Sequence, residues 1–321
     1  MIRRLPEEEP EQEKRGEITM LRRDFLKGAA LTVLGAGLLS RLPLGAAAKE
    51  DEVFDLAAVK GKSPGDMFDL AVAALGGMGA FVRKGQSVVI KPNIGWNTTP
   101  AEGADTNPEL VGRIVKRAIE AGASKVTVFD HTCDRNWTSC YSRSGIREAV
   151  EKAGGVMVTG NDESAYREVE IKNAVSMKKA LVHPALLDAD VVINVPVLKS
   201  HGGAKMTCAM KNYMGVVWDR RWMHRNDLQQ CIADSIFIRK PNLNVVDATL
   251  VMTAGGPTGR SRATRRVRMD SLLASRDIVA VDTAAAKMLG VSLESATHVK
   301  LGEALKLGTT DLSKLKIKRI V

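Results

Sequence analysis

Cysteine and aromatic residues are scarce in this chain, and their scarcity argues against several kinds of site. The 321 residues include four cysteines, at positions 133, 140, 208 and 231, and no two of them form a Cys-x-x-Cys pair. This spacing argues against an iron–sulfur cluster or a structural zinc site. Buried free thiols are the simpler expectation, and a disulfide between Cys133 and Cys140 is the alternative. Aromatic residues make up 4% of the chain and no nucleic-acid-binding module is visible, so we expect no nucleic-acid partner.

The chain also lacks an apolar run of the roughly 20 residues that a membrane span needs. Its N-terminal apolar stretch, Ala29–Leu39, is short and contains glycines, follows Arg22-Arg23, and precedes the small residues 45–48. This order is typical of a twin-arginine export signal that is cleaved after about Ala48. We therefore expect residues 1–48 to engage the twin-arginine export machinery and the protein to be periplasmic or otherwise extracytoplasmic. Membrane contact would arise only through an uncleaved leader.

Positive charge is in excess and unevenly distributed. The chain has 47 Lys and Arg against 37 Asp and Glu, and residues 196–275 alone have 13 against 5. A solvated basic face is one explanation of such a run. A pocket for a small anion, such as a phosphate, a carboxylate or a nucleotide, is the other.

Hydrophobic periodicity predicts an α/β fold with a mostly parallel sheet and flanking helices. We expect residues 49–321 to form a single domain with its core at about 86–291, or a domain with a smaller second lobe at roughly 196–265. The predicted strands are 87–91, 125–130, 156–159, 190–195 and 243–247. The predicted helices are 64–81, 107–121, 143–153, 228–239, 282–289 and 295–307, with 270–275 and 278–281 flanking a turn.

The most informative segment is 194–215, which directly follows the β-branched apolar run of the strand predicted at 190–195. It contains three lysines and a histidine, which are costly to bury and suited to holding an anion. Polar groups after the carboxyl end of a buried strand lie where open α/β sheets bind ligands. We predict His201, Asp130 and Lys199 as catalytic residues, with His201 as acid/base or ligand.

Other polar groups follow further predicted strands, and most are expected to share one cleft with this segment. Each has a structural alternative: Asp130 can cap a loop, Asp282 can begin a helix, and the glycines of 255–259 can form a bare turn. The residues predicted to bind a cofactor or anion are Lys91, Asn93, Lys205, Thr207, Lys211, Asn212, Gly256, Gly259, Arg260 and Asp282.

The order of these motifs resembles a bacterial and archaeal family catalogued as domain of unknown function 362. The resemblance covers about residues 86–291 and rests on Lys91-Pro92-Asn93, Thr106-x-Pro108, Asp130, Asn194-Val195-Pro196-x-Leu198-Lys199-x-His201, Thr207, Lys211-Asn212, Gly215, His224, Asp247, Gly256-Pro257-x-Gly259 and Ser275-x-Asp277-x-Val279-Ala280-x-Asp282. Many members carry twin-arginine leaders. This chain lacks the ferredoxin-type cysteine clusters of other members and has Asn107 where a histidine is common.

A fainter similarity is to nickel-dependent lactate racemases, in which an apolar strand leads into a histidine and a lysine loop. That similarity implies Lys199, Lys205 or Lys211 as a tether for an anionic nickel cofactor and His201 as a ligand or base. The residues themselves leave the cofactor and the metal unidentified. The expected function is a cofactor-dependent enzyme of proton or electron chemistry with a small anionic ligand or cofactor. The alternatives are a non-catalytic periplasmic binding protein and a purely structural role.

Overall fold

A ten-stranded sheet organises the protein. The computed structural model describes residues 52–321, so the expected signal peptide lies outside the described residues. The strands are β1 Leu56–Lys60, β2 Ser87–Pro92, β3 Lys125–Val128, β4 Val156–Met157, β5 Arg167–Glu170, β6 Lys179–Val182, β7 Val191–Val195, β8 Val197–His201, β9 Lys205–Thr207, β10 Leu243–Ala254, β11 Arg265–Ser275 and β12 Ile317–Ile320.

The main path of the sheet is β12-β1-β11-β10-β7-β2-β3-β4, with β8 paired to β10 and β9, while β5 and β6 form a separate two-stranded sheet. Strands β10, β7, β2, β3 and β4 are parallel, whereas β11 runs antiparallel to both β1 and β10. The predicted α/β class with a mostly parallel sheet is confirmed. Residues 196–265 supply β8, β9 and β10 to this same sheet.

Helices cover the sheet on both sides. They are α1 Pro64–Ala74, α2 Pro108–Glu120, α3 Trp137–Arg143, α4 Ile146–Lys152, α5 Pro184–Asp188, α6 Ala209–Asn212, α7 Arg220–Arg225, α8 Leu228–Asp234, α9 Ile278–Leu289 and α10 Thr297–Ala304. Within residues 52–321, none of these helices has the length and apolarity that a membrane span requires.

The central strands are buried on both faces, as their continuous apolar runs predict. Along β2, Val88 and Ile90 pack into one hydrophobic cluster and Val89 into the other, because successive side chains of a strand point to opposite faces. Helix α2 covers the first cluster with one apolar stripe, and Asn107 caps it by accepting a hydrogen bond from the Glu109 amide.

The structure differs from several of the predicted helices and strands. Helix α1 stops at Ala74 because Gly76 and Gly77 adopt positive φ angles, so the predicted extension to residue 81 is wrong. The segment from Ile278 belongs to α9 instead of flanking a turn, since Asp277 caps that helix through two backbone amides. Strands β1 and β12 were not predicted; β1 lies between β11 and β12, and its side chains pack into both hydrophobic clusters.

The four cysteines are free, as expected. Cys140, Cys208 and Cys231 are buried, whereas Cys133 is exposed.

Candidate functional site

Eight of the thirteen predicted site residues line one cleft of about 270 Å³ beside the carboxyl ends of β2 and β7 and beside β8. We call it the lysine cleft. Its volume is at the small end for ligand pockets, which suits a small metabolite. The eight residues are Lys91, Asn93, Asp130, Lys199, His201, Thr207, Lys211 and Asn212. The expected convergence of distant motifs is therefore observed for these positions.

The floor of the lysine cleft is a buried ion pair. The Lys91 ammonium lies 2.8 Å from Asp130 Oδ1, and both side chains are almost completely buried. It also donates to the Pro92 carbonyl at 2.7 Å and to Asn212 Oδ1 at 3.2 Å. Burial lowers the pKa of Lys91, and the carboxylate of Asp130 opposes that shift. Asp130 Oδ2 accepts from the Ile94 amide at 2.7 Å, so this carboxylate serves to hold Lys91 and the adjacent loop.

Gly215 makes this ion pair possible. A Cβ at this position would lie 2.1 Å from Asp130 Oδ1 and 2.8 Å from Lys91 Nζ, which is closer than non-bonded atoms can approach. The backbone of residue 215 therefore passes directly against the ion pair, and only glycine allows that approach.

Amide side chains tie the second lysine into the same network. Lys199 Nζ donates to Asn93 Oδ1 at 2.9 Å and to the Ala104 carbonyl. Asn93 in turn donates to Asn212 Oδ1 at 3.1 Å. Burial lowers the pKa of Lys199 to about 8, although the nearby carboxylate of Asp105 opposes the shift. Two of the three ammonium hydrogens are thus committed, and one remains for a ligand.

Two polar groups in the cleft have no protein partner. The Lys211 ammonium makes no hydrogen bond or ion pair with another described residue, and burial lowers its pKa to about 8. The Thr207 side chain is 3% exposed and its hydroxyl also lacks a hydrogen-bond partner within residues 52–321. Buried polar groups are normally satisfied, so the Thr207 hydroxyl favours a ligand in the cleft. The Lys211 side chain is partly buried, and its ammonium is available to the same ligand.

Charge in the lysine cleft is strongly unbalanced. Among the described residues that line it, five are cationic and one, Asp130, is a carboxylate. Of the five, Arg220 donates to the carbonyls of His131 and Thr132 at 2.7 Å each and has no carboxylate partner among the described residues. Such an excess of cations favours an anion in the cleft.

His201 is held as a neutral ring at one side of the cleft. Its Nδ1 accepts a hydrogen bond from the Ala204 amide at 3.1 Å, which leaves the ring proton on Nε2. Burial and the nearby charge of Lys211 lower the pKa of His201 to about 2. The His224 ring lies parallel to it with the two centroids 6.2 Å apart. In this tautomer His201 offers Nε2–H as a hydrogen-bond donor.

Several cleft residues were missed as site residues by sequence reasoning. Cys133, Arg220, Arg221 and Trp96 all line the cleft, and so does His224, which sequence reasoning names only among the motifs of the family resemblance. The available signal was position: residues 131–134 follow Asp130, and residues 95–96 follow the Lys91–Asn93 motif. Arg220 and Arg221 begin α7, and nothing in their spacing indicates a site.

Four of the other predicted residues lie outside the lining. Lys205 is exposed at the start of β9. Gly256 brings its loop against β8, where a Cβ would lie 1.9 Å from the Ser200 carbonyl oxygen, and this approach places Pro257 in the cleft wall. Gly259 has a φ of +73°. Arg260 pairs with Asp134 at 2.5 Å on the surface and lies over the Trp96 ring.

Asp282 lies outside the lining as well, and the direction of β11 explains this. Because β11 is antiparallel, its end at Ser275 pairs with Asn244 at the start of β10, at the opposite edge of the sheet from the cleft. From α9, Asp282 accepts hydrogen bonds from the Ala209 and Met210 amides at 2.6 and 3.0 Å. It therefore fixes the start of α6, which carries Lys211 and Asn212, and burial raises the pKa of Asp282 to about 6.

Within residues 52–321, no cluster of three or more His, Cys, Asp or Glu side chains is arranged to hold a metal ion. The polar groups that face the lysine cleft are donors for the most part. They suit an anionic group better than a bare cation.

Comparison with known proteins gives relatives but no established reaction. The chain is 29% identical over 251 residues to the thylakoid-associated protein sll1697 of Synechocystis, covering 73% of this chain and 72% of the relative. A crystal structure of a Thermotoga maritima protein matches with a TM-score of 0.37, 10% identity and 68% of this chain covered. The lactate racemase apoprotein of Thermoanaerobacterium thermosaccharolyticum matches with a TM-score of 0.35, 11% identity and 73% covered.

The chain spans 55% and 57% of the lengths of those two solved structures. A family model matches residues 88–287, which is more than half of the chain and includes every residue of the lysine cleft named above. The chain belongs to the family described as Domain of unknown function (DUF362).

Proposed function

We propose that the lysine cleft binds a small organic anion and that the protein is an enzyme that moves a proton at that bound anion. The observation that carries this proposal is the Lys211 ammonium, which faces the cleft without a counter-charge. A desolvated ammonium is costly unless a negative group accompanies it, and a bound carboxylate or phosphate would supply that group.

The same side chain suits proton transfer. A lysine whose pKa is about 8 is divided between its amine and ammonium forms at slightly alkaline pH, so it can accept a proton and return it. Lys199 donates its remaining hydrogen to the anion, and His201 donates through Nε2–H. Asp130 acts through Lys91, since its two oxygens are engaged by Lys91 and the Ile94 amide. In this proposal the three residues predicted to be catalytic bind or position the anion, and Lys211 transfers the proton.

The place of action that we propose is outside the cytoplasm. The support for it is the N-terminal sequence, with Arg22-Arg23 followed by the apolar stretch and the small residues 45–48. A non-catalytic binding protein for a small anion is the alternative function. It is favoured by the same excess of cations and differs in making no chemical change.

Thermal unfolding with inorganic phosphate and malonate tests binding. At a hundredfold excess over its dissociation constant, a bound anion stabilises the native state by about 2.7 kcal/mol. We expect that stabilisation in the wild-type protein and in Lys205→Met, which removes an exposed lysine outside the cleft. It should be lost in Lys211→Met. An equal shift in the Lys211→Met protein, or no shift in the wild type with any small carboxylate or phosphate, would refute the proposal.

Proton exchange in D2O separates the two functions. A panel of small 2-substituted carboxylates is incubated with the protein, and deuterium at the carbon next to the carboxylate is followed by NMR. The enzymatic function is supported if the wild-type protein catalyses exchange and the folded Lys211→Met protein does not. Tight binding of the anion without exchange in any member of the panel supports the binding protein instead.

A further inference from the structure

Cys133 is placed where a reactive thiol would meet the bound anion. It is the exposed cysteine of the four, and it lines the lysine cleft. Its amide donates to the Gly95 carbonyl at 2.8 Å, which fixes the backbone. Arg220 Nη1 donates to its sulfur at 3.2 Å. Cations beside a thiol are typical of the surroundings of reactive cysteines.

Further cations act on the same sulfur. Burial lowers the pKa of Lys199 and of Lys211 to about 8, and the nearby Cys133 side chain opposes both shifts. The Cys133 sulfur is therefore within electrostatic reach of two lysines as well as of Arg220. An anion that enters the cleft is drawn to the same cations.

A separate feature indicates that a ligand occupies the space next to this thiol. Thr207 lines the same cleft and is only 3% exposed. Its hydroxyl has no hydrogen-bond partner among the described residues. Gly95 borders the same space, since a Cβ there would lie at ordinary van der Waals distance from Cys133 Sγ, 3.8 Å, and from Asn93 Oδ1, 3.7 Å. An unsatisfied donor, an accessible thiol and free cations thus surround one volume.

We propose that Cys133 is the nucleophile of the lysine cleft and that its reaction partners are small carboxylates with an electrophilic carbon. This inference rests on the proposed anion binding and extends it. With an α,β-unsaturated carboxylate, the thiol proton passes to the Lys211 amine and a bond forms between sulfur and the β carbon. The electron pair of the double bond moves to the α carbon, which takes the proton from the Lys211 ammonium. The sum is the addition of S–H across the double bond, with no oxidant or reductant.

Competition between two alkylating reagents tests the proposal directly. Iodoacetate and iodoacetamide have the same leaving group and similar size, but only iodoacetate is an anion. In either reaction the sulfur–carbon bond forms as the carbon–iodine bond breaks and iodide leaves. Labelling of the native protein is followed by mass spectrometry of the Cys133 peptide, while the three buried cysteines serve as internal controls.

We expect the ratio of the iodoacetate rate to the iodoacetamide rate to be at least tenfold higher at Cys133 than at free cysteine. Inorganic phosphate should slow the iodoacetate reaction. Lys211→Met should return the rate ratio towards that of free cysteine, and Lys205→Met should leave it unchanged. Cys133→Ser should abolish labelling of that peptide.

The outcomes separate this inference from the proposed function. If phosphate stabilises the protein but the two reagents react with Cys133 in the free-cysteine ratio, anion binding stands and the nucleophile assignment is wrong. If phosphate produces no stabilisation and the ratio is that of free cysteine, both proposals fail. A ratio that stays high in Lys211→Met would also overturn the inference, because the selectivity would then come from outside the cleft.

Discussion

Replacing Gly215 by alanine should break the ion pair at the floor of the lysine cleft. The added Cβ would lie 2.1 Å from Asp130 Oδ1 and 2.8 Å from Lys91 Nζ. Non-bonded carbon and oxygen atoms come no closer than about 3.3 Å, so the carboxylate must move by more than about 1 Å. The present contact between the two charged groups is 2.8 Å, and both are buried, so the movement separates charges that water cannot reach.

The expected loss of stability follows from the burial of that pair. Removing one partner of a buried ion pair costs about 3–5 kcal/mol. Alanine at 215 leaves both charges in place but separates them, so we expect about 3 kcal/mol, at the low end of that range. For a domain of this size the loss corresponds to a decrease in the melting temperature of roughly 6–12 °C.

Urea unfolding followed by circular dichroism measures this change. Gly202→Ala is the matched control, because a Cβ at Gly202 meets no atom within 4 Å and the position lies in the same segment of the chain. We expect that variant to unfold within about 0.5 kcal/mol of the wild type, as surface substitutions usually do. A loss below about 1 kcal/mol in Gly215→Ala, with the control unchanged, would show that the ion pair can move at little cost, and the reasoning would be wrong.

Two further predictions concern pH and export. Because burial lowers the pKa of Lys199 and Lys211 from 10.5 to about 8, the unfolded chain binds more protons at these two lysines than the folded one above about pH 8. The ligand-free protein should therefore gain stability from about pH 8 to 9, below the range in which the raised pKa values of the buried thiols Cys140, Cys208 and Cys231 oppose the gain. As the pH rises, the stabilisation by phosphate should fall, because the ammonium groups lose their charge. Thermal melts at pH 7 and 9, with and without phosphate, should show these opposite trends. A melting temperature that does not change with pH would contradict the assigned burial of the two lysines. Arg22→Lys combined with Arg23→Lys should retain the protein in the cytoplasm, and fractionation that finds it still delivered to the periplasm would disprove the twin-arginine signal.

The central part of the fold and much of the lysine cleft could be predicted from local sequence. Four of the six residues 190–195 are apolar and β-branched, which is typical of a strand buried on both faces. Since parallel strands present their carboxyl ends at one edge, Lys91, Asp130 and Lys199 could be expected to meet there although they are far apart along the chain. The register agrees, as Lys91 pairs with Asn194 across β2 and β7.

What local sequence could not decide was the direction of the later strands. A run such as 270–275 has the same pattern whether its strand is parallel or antiparallel. Only the pairing of β11 with β1 and β10 places Ser275 at the opposite edge from the cleft. The motif from Ser275 to Asp282 therefore begins at that opposite edge. The role of Asp282 at the start of α6 follows from that packing.

Only the tertiary structure decided which polar side chains are satisfied. Lys91, Lys199 and Lys211 look alike in the sequence, yet one is paired with a carboxylate, one is held by an amide and a carbonyl, and one has no partner among the described residues. The same holds for Cys133, whose accessible position beside Arg220 arises from contacts between segments about 90 residues apart. Residue type and spacing thus determined which groups gather at the edge of the sheet. Their partners, and so their charge and reactivity, depend on distances that only the folded chain sets.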